Sequence, residues 1–419
     1  MKLKPTLLPA LSNLWRPTGP LMKTSLILSG ILSLAAASSP AATPPSYDFT
    51  IGVSAVPGLQ NPQAVAVDPS GNVFVADTGN QRIVKFSRTG SFLLDWGGTG
   101  DAPGKFSNPS SIAIDSSNNV YVIDSANESI QKFSSSGAYL TRWHCPHPTA
   151  VAIDRDDYVY VADRGAESLV FNHWGGGWVL EYVPGVRKFT GDGRLLRQWP
   201  INTTPFFQYT GLGFSGTYYT AGLTVGRNGD IFVGYSYLYG RPFGEPVANW
   251  AGAGIEWFTS DGVYVLDYGA TAAPDTLAVD SANNLYVTDR LNNRIVMFTF
   301  GADGSVTGWG IPGSGASSLS GPRGVAVDRS DNYVYAADSG NNRILVFAHQ
   351  PTLNIRSTGA NSLILSWSAD ATGYRLQQKP AVGASDWVNV TNPVNSVGGL
   401  FTATNTASGG AQFFRLRKL

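Results

Sequence analysis

The chain has 419 residues, of which 29 are basic and 29 acidic, and it contains 48 Gly, 25 Pro, 20 Phe, 18 Tyr and 11 Trp but a single Cys. A charged fraction of 14% with so many aromatic residues excludes an intrinsically disordered chain, and one cysteine excludes a disulfide scaffold or a multi-cysteine metal site. Abundant Gly, Val and Tyr, with three Met, indicate an all-β protein rich in turns rather than a helical bundle.

Residues 1–42 have the layout of a secretory leader. Basic residues come first, an apolar run follows at residues 26–37, and small residues lead on to Ala42. The apolar run of about a dozen residues is too short for a bilayer, which needs about 20. The pattern leaves open whether translation starts at Met1 or Met22. We expect a mature protein that is secreted, periplasmic or on the cell surface, without a membrane span.

Removal of the leader changes the charge of the protein. It takes away four basic residues and no acidic one, so 25 basic residues remain against 29 acidic ones, a net charge of −4. A mildly acidic exported protein is not attracted to nucleic acid or to anionic membranes. We therefore expect neither as a partner.

One segment recurs along the chain. Its clear copies begin at Pro62, Pro109, Pro148, Pro274 and Pro322, and a degenerate copy covers residues 221–235. In the clear copies two acidic residues stand nine or ten positions apart, in the pairs Asp68/Asp77, Asp115/Asp124, Asp154/Asp163, Asp280/Asp289 and Asp328/Asp338. Repetition at such regular spacing is typical of a solenoid or a propeller.

A complete copy contains four short runs of β-branched and aromatic residues, separated by Gly, Asn, Asp and Ser. This pattern predicts four strands joined by tight turns. A four-stranded sheet of this size cannot bury both of its faces alone, but sheets stacked radially can, as blades of a propeller. Six copies predict six blades. The last copy lacks its fourth strand, and we expect the β-like run at residues 47–53 to complete it and to remove an exposed edge.

The sequences VAVD at residues 65–68, VYVAD at 159–163 and GNNRI at 340–344 resemble the NHL repeat family. The resemblance covers about residues 47–348 and implies a six-bladed propeller of the kind mostly used to bind proteins or other ligands. Some relatives bind RNA, which would need a basic face. Others resemble zinc-dependent peptidyl-amidoglycolate lyases, with histidine ligands from several blades. Here the positions after the repeat proline hold no histidine but Gln63, Ser110, Thr149, Asp275 and Arg323.

Two neighbouring copies carry insertions between their second and third strands. Asp163 and Phe189 are 26 residues apart instead of nine, and Tyr235 and Phe258 are 23 apart. Residues 171–258 hold 20 of the 49 aromatic residues, and aromatic faces suit sugar rings or peptide side chains. We predict a ligand-binding surface on these loops. An alternative is that the loops pack on each other as a lid. The candidate residues are Trp174, Trp178, Tyr182, Tyr237, Tyr239 and Trp250.

The repeated charged residues have a structural interpretation. A residue that recurs in every copy serves the fold, whereas a ligand site should break the symmetry. We expect Asp68 and its equivalents to accept backbone N–H groups in a turn. We expect Arg82, Arg294 and Arg343 to pair with an aspartate at a strand end.

Three histidines are weak candidates for a zinc site. His144 and His147 lie close together in sequence, and His173 is the further ligand that they would need. Calcium or zinc in the central channel is also left open, but the preferred interpretation has no cofactor.

Residues 351–419 lack the repeat and show alternating runs with turn residues between them. They resemble a small fibronectin-type-III-like β-sandwich of the sort appended to exported bacterial proteins, with Trp367 and Tyr374 as its core pair. We therefore divide the chain into a leader at 1–42, a six-bladed propeller at 43–350 and a β-sandwich at 351–419.

The sequence favours a monomeric, non-enzymatic module that binds a protein or a glycan. The alternative is a metal-dependent propeller enzyme, a lyase or a lactonase, with its site in the central channel. Propellers host both kinds of function, so the fold does not decide between them. At least three His, Asp, Glu or Asn side chains that converge from different blades would favour the enzyme.

Overall fold

The strands follow the repeats that the sequence shows. The computed structural model describes residues 44–53, 58–165, 167–172, 177–182, 184–201, 215–240, 249–270, 274–299, 306–349, 351, 353–359, 362–368, 374–379, 387–397, 400–406 and 413–418. Among these residues there is no helix of the length and hydrophobicity that crossing a bilayer requires. Strands dominate, and short 3-10 turns occur at Thr78–Asn80 and Ser339–Asn341.

Six four-stranded antiparallel sheets contain the repeats within the described residues. The first strand of the described residues, β1 (Ser46–Ile51), belongs to the sixth sheet. The first sheet contains β2 (Pro62–Val67), β3 (Val73–Asp77), β4 (Arg82–Phe86) and β5 (Phe92–Gly97). The second contains β6 (Pro109–Ile114), β7 (Val120–Asp124), β8 (Ser129–Phe133) and β9 (Tyr139–His144). The third contains β10 (Pro148–Ile153), β11 (Val159–Asp163), β14 (Gly185–Phe189) and β15 (Leu195–Pro200), and between them lies a separate hairpin of β12 (Glu167–Asn172) and β13 (Gly177–Tyr182).

The later sheets keep the same order. The fourth contains β16 (Ser215–Val225), β17 (Ile231–Gly240), β18 (Asn249–Phe258) and β19 (Tyr264–Ala270). The fifth contains β20 (Pro274–Val279), β21 (Leu285–Asp289), β22 (Arg294–Phe298) and β23 (Val306–Trp309). A short parallel pair follows, β24 (Ile311–Pro312) and β25 (Ser318–Leu319). The sixth sheet contains β26 (Gly324–Val327), β27 (Tyr333–Asp338), β28 (Arg343–Ala348) and β1.

The turn between the first two strands of a sheet is held by its aspartate, as the sequence predicted. In the first sheet Asp68 Oδ1 accepts the backbone N–H groups of Ser70, at 2.9 Å, and Asn72, at 2.8 Å. Asp115, Asp154 and Asp280 make the same pair of contacts in their own sheets. These carboxylates satisfy backbone donors that the tight turn leaves unpaired.

The first strands of successive sheets lie side by side. β2 lies against β6, β6 against β10, β10 against β16, β16 against β20, β20 against β26, and β26 against β2. This order gives a β-propeller-like arrangement in which every sheet has two neighbours. It places the most buried part of each sheet, such as the fully buried second strand Val73–Asp77, between neighbouring sheets.

Tryptophan side chains of the fourth strands fill the space between neighbouring sheets. Trp96 lies 6.3 Å, between ring centroids, from Phe74 of its own sheet and 5.7 Å from Phe133 of the next. Trp143 has the same position between Tyr121 and Phe189. The regular aromatic spacing in the sequence therefore serves the packing of one sheet on the next.

Glycine is required where the next sheet turns over each tryptophan. Gly193 has a φ of +92°, and a Cβ atom on it would lie 2.6 Å from the ring of Trp143. Gly137 and Gly262 have the same relation to Trp96 and Trp199. A larger residue at these positions would meet both a disfavoured backbone conformation and a ring.

The amino-terminal strand completes the sixth sheet, which confirms the predicted pairing. β1 pairs antiparallel with β28, and Ile51 aligns with Ile344. A Cβ atom on Gly90 of the first sheet would lie 3.2 Å from Ile51 and 3.8 Å from Phe49. These two residues therefore occupy the place against the next sheet that tryptophan has elsewhere, and the outer edge of β28 is covered.

The tail forms two further antiparallel sheets. One contains β29 (Asn354–Gly359), β30 (Ser362–Ser368), β33 (Val394–Val397) and β34 (Leu400–Thr406), and the other contains β31 (Tyr374–Lys379), β32 (Val388–Asn389) and β35 (Phe413–Lys418). Leu365 and Trp367 of the first sheet and Leu376 of the second belong to one buried cluster, against which Tyr374 packs. The tail thus has a hydrophobic core of its own, in which the two residues predicted from the sequence take part.

Candidate functional site: the central cavity

A cavity of about 720 Å³ opens where the first strands of the sheets begin and the second strands end. Residues from all six sheets line it, and most of their side chains are hydroxyls, amides or charged groups. The lining residues are Gln63, Asn108, Ser110, Ser111, Ser125, Ala126, His147, Pro148, Thr149, Ala150, Arg164, Thr220, Ala221, Ser236, Asp275, Thr276, Arg290 and Arg323. The volume is that of a site for a small ligand or a short segment of a larger one.

The cavity is built from two positions of the repeat. The first is the residue after the repeat proline, and all five residues singled out from the sequence at this position line the cavity. The second is the residue after the strand-end aspartate, and it contributes Ser125, Arg164 and Arg290. From the sequence we noted only that the first position holds no histidine, and we predicted no role for the second position. Both positions could have been found in the sequence, because their side chains vary between copies whereas the neighbouring proline and aspartate recur.

Charged pairs at the strand ends hold the first, fifth and sixth sheets together near the cavity. Arg82 Nε lies 2.7 Å from Asp77 Oδ2, Arg343 Nε lies 2.7 Å from Asp338 Oδ2, and Arg294 Nε lies 2.8 Å from Asp289 Oδ2. These pairs confirm the structural interpretation of the repeated arginines. Two of these aspartates also accept a backbone N–H of the segment that enters their own sheet, Asp77 from Gln60 and Asp338 from Ser320, each at 2.6 Å.

In the third sheet the aspartate pairs with an arginine that follows the insertion. Asp163 is buried, accepts the N–H of Gly165 at 2.7 Å and pairs at 3.0 Å with Arg187, which comes after the inserted hairpin. Burial raises the pKa of Asp163 from 3.8 to about 6, and the Arg187 charge opposes the shift. The insertion thus replaces the regular arginine partner and leaves a carboxyl group that titrates near neutral pH.

The charges of the cavity lie in the third, fifth and sixth sheets. Arg290 Nε lies 2.7 Å from Asp275 Oδ2. Burial raises the pKa of Asp275, and the Arg290 and Arg323 guanidinium groups oppose the rise. Arg164 lines the cavity from the third sheet. Among the described lining residues the cavity therefore holds three guanidinium groups and one carboxyl group.

The candidate metal ligands take separate positions. His147 lines the cavity, and its Nδ1 lies 2.9 Å from Glu128 Oε1. His144 is an exposed residue at the end of β9, and His173 lies outside the described residues. Within the part of the chain that the structure describes, no group of three or more His, Cys, Asp or Glu side chains is arranged to hold a metal ion.

One feature of the lining bears on the alternative of an enzyme. Asn108, His147 and Asp275 come from three different sheets and line the same cavity. Each contacts a neighbour of its own: Asn108 Nδ2 donates to Ser125 Oγ at 2.6 Å, and the other two contact Glu128 and Arg290.

The side chains of the predicted aromatic surface all lie outside those that the structure describes. Trp174 lies outside the described residues altogether. Trp178 and Tyr182 belong to β13, Tyr237 and Tyr239 to β17, and Trp250 to β18. The expectation of loops is therefore wrong for these five, because their backbone groups pair in antiparallel ladders that satisfy them better than an irregular loop.

Both insertions extend from the end of the sheets at which the cavity opens. Arg164 lines the cavity, and the β12–β13 hairpin begins at Glu167. Ser236 also lines the cavity, and β17 continues from there to Gly240, about 13 Å further at the usual rise of a strand. β13 lies against β16. The insertions thus form a raised, one-sided border to the cavity.

Comparison with known proteins agrees with the repeat pattern. No curated protein matches the sequence. Among solved structures the chain is similar to selenomethionine-substituted virginiamycin B lyase from Staphylococcus aureus, with 13% identity and a TM-score of 0.43 over 68% of this chain and 80% of that one. It is also similar to a streptogramin B lyase, with 13% identity and a TM-score of 0.45 over 71% of this chain and 95% of that one. The family model for the NHL repeat matches residues 59–86, 106–133 and 319–347, so the chain contains NHL repeats in its first, second and sixth sheets.

Proposed function

We propose that this protein is an exported binding module, a closed six-bladed propeller whose ligand enters the central cavity. The observation that carries the proposal is that all six sheets contribute to the lining of one cavity. Residues at that place vary between copies, whereas the residues that hold each sheet together recur. Variation confined to a concave surface is what a ligand site on a repeat scaffold requires.

Closure of the ring is supported by hydrogen bonds near the cavity. Thr78 Oγ1 donates to the carbonyl of Pro109 in the next sheet at 2.6 Å, and Ser339 Oγ donates to that of Pro62 at 2.5 Å. The last sheet is joined to the first in the same way as the first to the second. A ring closed in this manner holds the cavity in a fixed shape, which reduces the entropic cost of binding.

We further propose that the ligand is a glycan or a segment of a protein. Hydroxyl and amide groups dominate the cavity, and β13, β17 and β18 beside it carry Trp and Tyr in sequence. Hydrogen-bonding groups in a concave site, with aromatic residues at its border, suit both ligand classes.

A cavity-filling variant tests this function. Ser110 lines the cavity, so Ser110→Trp should obstruct it. Ser281 is exposed in the turn between β20 and β21, at the other end of the sheets, so Ser281→Trp is the matched control. On glycan and peptide arrays we expect the wild type and Ser281→Trp to give the same hits and Ser110→Trp to lose them. Equal binding by all three, with the folded state verified by circular dichroism, would contradict binding in the cavity. Trp250→Ala on the same arrays tests the aromatic border.

A second candidate is a metal-dependent propeller enzyme. The observation in its favour is that Asn108, His147 and Asp275 reach one cavity from three sheets. Metal analysis of the purified protein distinguishes the two functions. Stoichiometric calcium or zinc that is lost in a His147→Ala and Asp275→Ala double variant would favour the enzyme, and a metal-free protein that binds its ligand would favour the module.

The ends of the chain belong to the same proposal. We infer that residues 1–42 direct export and that the two sheets of the tail form a fibronectin-type-III-like sandwich on a monomeric protein. Amino-terminal sequencing of the mature protein should find a start near Ala42. Deletion of residues 351–419 followed by cell fractionation tests whether the tail retains the protein at the cell surface, and unchanged localisation would contradict such a role.

A further inference from the structure

The cavity and the protein as a whole carry opposite charges. Without the leader the chain has 25 basic and 29 acidic residues. Among the described residues that line the cavity, however, Arg164, Arg290 and Arg323 face a single acidic residue, Asp275. Guanidinium groups thus outnumber carboxyl groups among the described residues that line this concave site of a mildly acidic protein.

These arginines occupy positions that other sheets fill with small polar residues. Arg323 corresponds to Gln63, Ser110 and Thr149, while Arg164 and Arg290 correspond to Thr78, Ser125 and Ser339. In the first and last sheets the residue at the second position joins neighbouring sheets through its hydroxyl. The arginines break this symmetry, which is the mark of a site rather than of the scaffold.

In the sheets that carry these arginines, hydroxyl groups at other positions make the connection between neighbouring sheets. Thr288 Oγ1 donates to the carbonyl of Arg323 at 3.1 Å and connects the fifth sheet with the sixth. Thr220 Oγ1 donates to the carbonyl of Asp163 at 3.0 Å and connects the fourth sheet with the third. Threonine hydroxyls therefore make these connections, and the guanidinium groups are not needed for them.

The carboxyl group of the lining lies beside two of the arginines. Asp275 contacts Arg290 at 2.7 Å and is close enough to Arg323 for that charge to lower its pKa. Arg290 thus holds the carboxylate beside the cavity, and the Arg323 guanidinium adds a second positive charge near it. Arginine forks match carboxylates in a two-point geometry, and in a half-buried site such bonds are strong.

We propose that the cavity binds a carboxylate group of the ligand, held by Arg323 together with Arg164 and Arg290. The ligand is then acidic, and the shared chemistry has two sources: a uronic acid unit of a glycan, or an Asp, Glu or terminal carboxylate of a peptide. This inference rests on the proposed function, since it assigns the ligand chemistry of the same cavity.

The test uses pairs of probes that differ in charge alone. Succinate and its neutral diamide report on carboxylate capture, and trigalacturonate and triglutamate, each against its methyl ester, separate the two sources. Affinities are measured by calorimetry at constant ionic strength for the wild type, Arg323→Gln and Arg164→Gln. The control is Arg155→Gln, because Arg155 is 77% exposed in the turn between β10 and β11, at the opposite end of the sheet. Arg323→Lys keeps the charge but removes the fork.

We expect succinate to bind the wild type and the control, and the diamide to bind neither. Arg323→Gln and Arg164→Gln should each weaken succinate about ten- to hundredfold, the usual effect of losing a charged hydrogen bond, and Arg323→Lys should lie between. Absence of succinate binding, equal binding of the diamide, or cavity variants that bind like the wild type would each overturn the inference. If the ligands that bind in the cavity on the arrays carry no charge, the inference is also overturned, but the proposed function remains. Succinate captured by the arginines without any array hit would contradict the proposed function alone.

Discussion

The hydroxyl of Ser339 donates a hydrogen bond of 2.5 Å to the carbonyl oxygen of Pro62, a residue 277 positions earlier in the chain. Both residues are buried. The equivalent bond between Thr78 and Pro109 spans 31 positions. The same local chemistry thus joins sheets that follow one another and sheets at opposite ends of the repeat region.

Ser339→Ala should therefore weaken the contact between the sixth and first sheets. The substitution leaves the buried carbonyl of Pro62 without this donor, and we expect the free energy of unfolding to fall by about 1–3 kcal/mol. Ser281→Ala, at an exposed serine, should change it by less than about 0.5 kcal/mol. Urea unfolding followed by tryptophan fluorescence measures both. Equal midpoints would show that the bond contributes nothing to stability.

The amino-terminal strand should contribute as much as a core strand. Ile51 is 1% exposed between the first and sixth sheets, and Ile51→Ala should cost about 2–5 kcal/mol. Val53 is 70% exposed, so Val53→Ala is the control and should be nearly neutral. Thermal unfolding of both variants provides the comparison. A neutral Ile51→Ala would mean that β1 is not part of the cooperative unit.

Gly193→Ala should show the cost of crowding a tryptophan. Its φ is +92° and the new Cβ atom would meet Trp143 at 2.6 Å, whereas Gly321, with a φ of +55°, has nothing within 4 Å of such an atom. Gly321→Ala should therefore cost about 1–2 kcal/mol for its backbone alone, and Gly193→Ala about 1–3 kcal/mol more for overpacking. The difference between the two unfolding free energies isolates the steric part, and its absence would contradict the packing described.

Arg343→Lys tests the charged pair at the strand end of the sixth sheet. The Arg343 side chain bonds Asp338 at 2.7 Å and the carbonyls of Gly315 and Ser318 at 2.6 Å. Lysine keeps the charge but not the planar fork, so a loss of about 1.5–3 kcal/mol is expected. Arg155→Lys, in an exposed turn, should have no effect. Equal stability of both variants would show that charge alone suffices.

Asp163 should make stability depend on pH in an unusual direction. Burial raises its pKa from 3.8 to about 6, so between these values the folded state binds more protons than the unfolded state. Its contribution is present in full below about pH 4 and is lost as pH rises to about 6, by about 3 kcal/mol in all. Asp163→Asn should remove this slope. The measured quantity is the difference in unfolding free energy between wild type and variant from pH 4 to 7.

Histidine side chains change charge in the same range of pH, so the scan is repeated in a His147→Gln background. A difference that is constant with pH in both backgrounds would contradict the assignment to Asp163.

The repeat made most of the propeller predictable. Alternating residues between turn-forming ones placed strands such as β2 to β4, and the recurrence of Asp77 and Arg82 at one spacing indicated their pairing. These features are local, so the physical chemistry of a short segment decides them. The partner of β1 also followed from the sequence, because a single copy lacked one strand.

The insertions were less predictable. The degenerate copy covers residues 221–235, yet β16 already begins at Ser215, since its first residues pair with an extended β17. Strand length there depends on a partner and not on local pattern. The cavity was hidden for a similar reason. Gln63 and Arg323 are 260 positions apart in sequence, and only the ring makes them lining residues of one space.

The pairing of β1 with β28 affects how the chain folds. Residues 46–51 leave the ribosome long before residues 343–348, so the edge that they cover is the last to find its partner. Closure over that distance is slow because it follows the ordering of everything between. Until then, β1 of one molecule can pair with the open edge of β28 in another molecule just as it pairs with its own β28. At high concentration during refolding, the expected by-product is a domain-swapped dimer that exchanges β1.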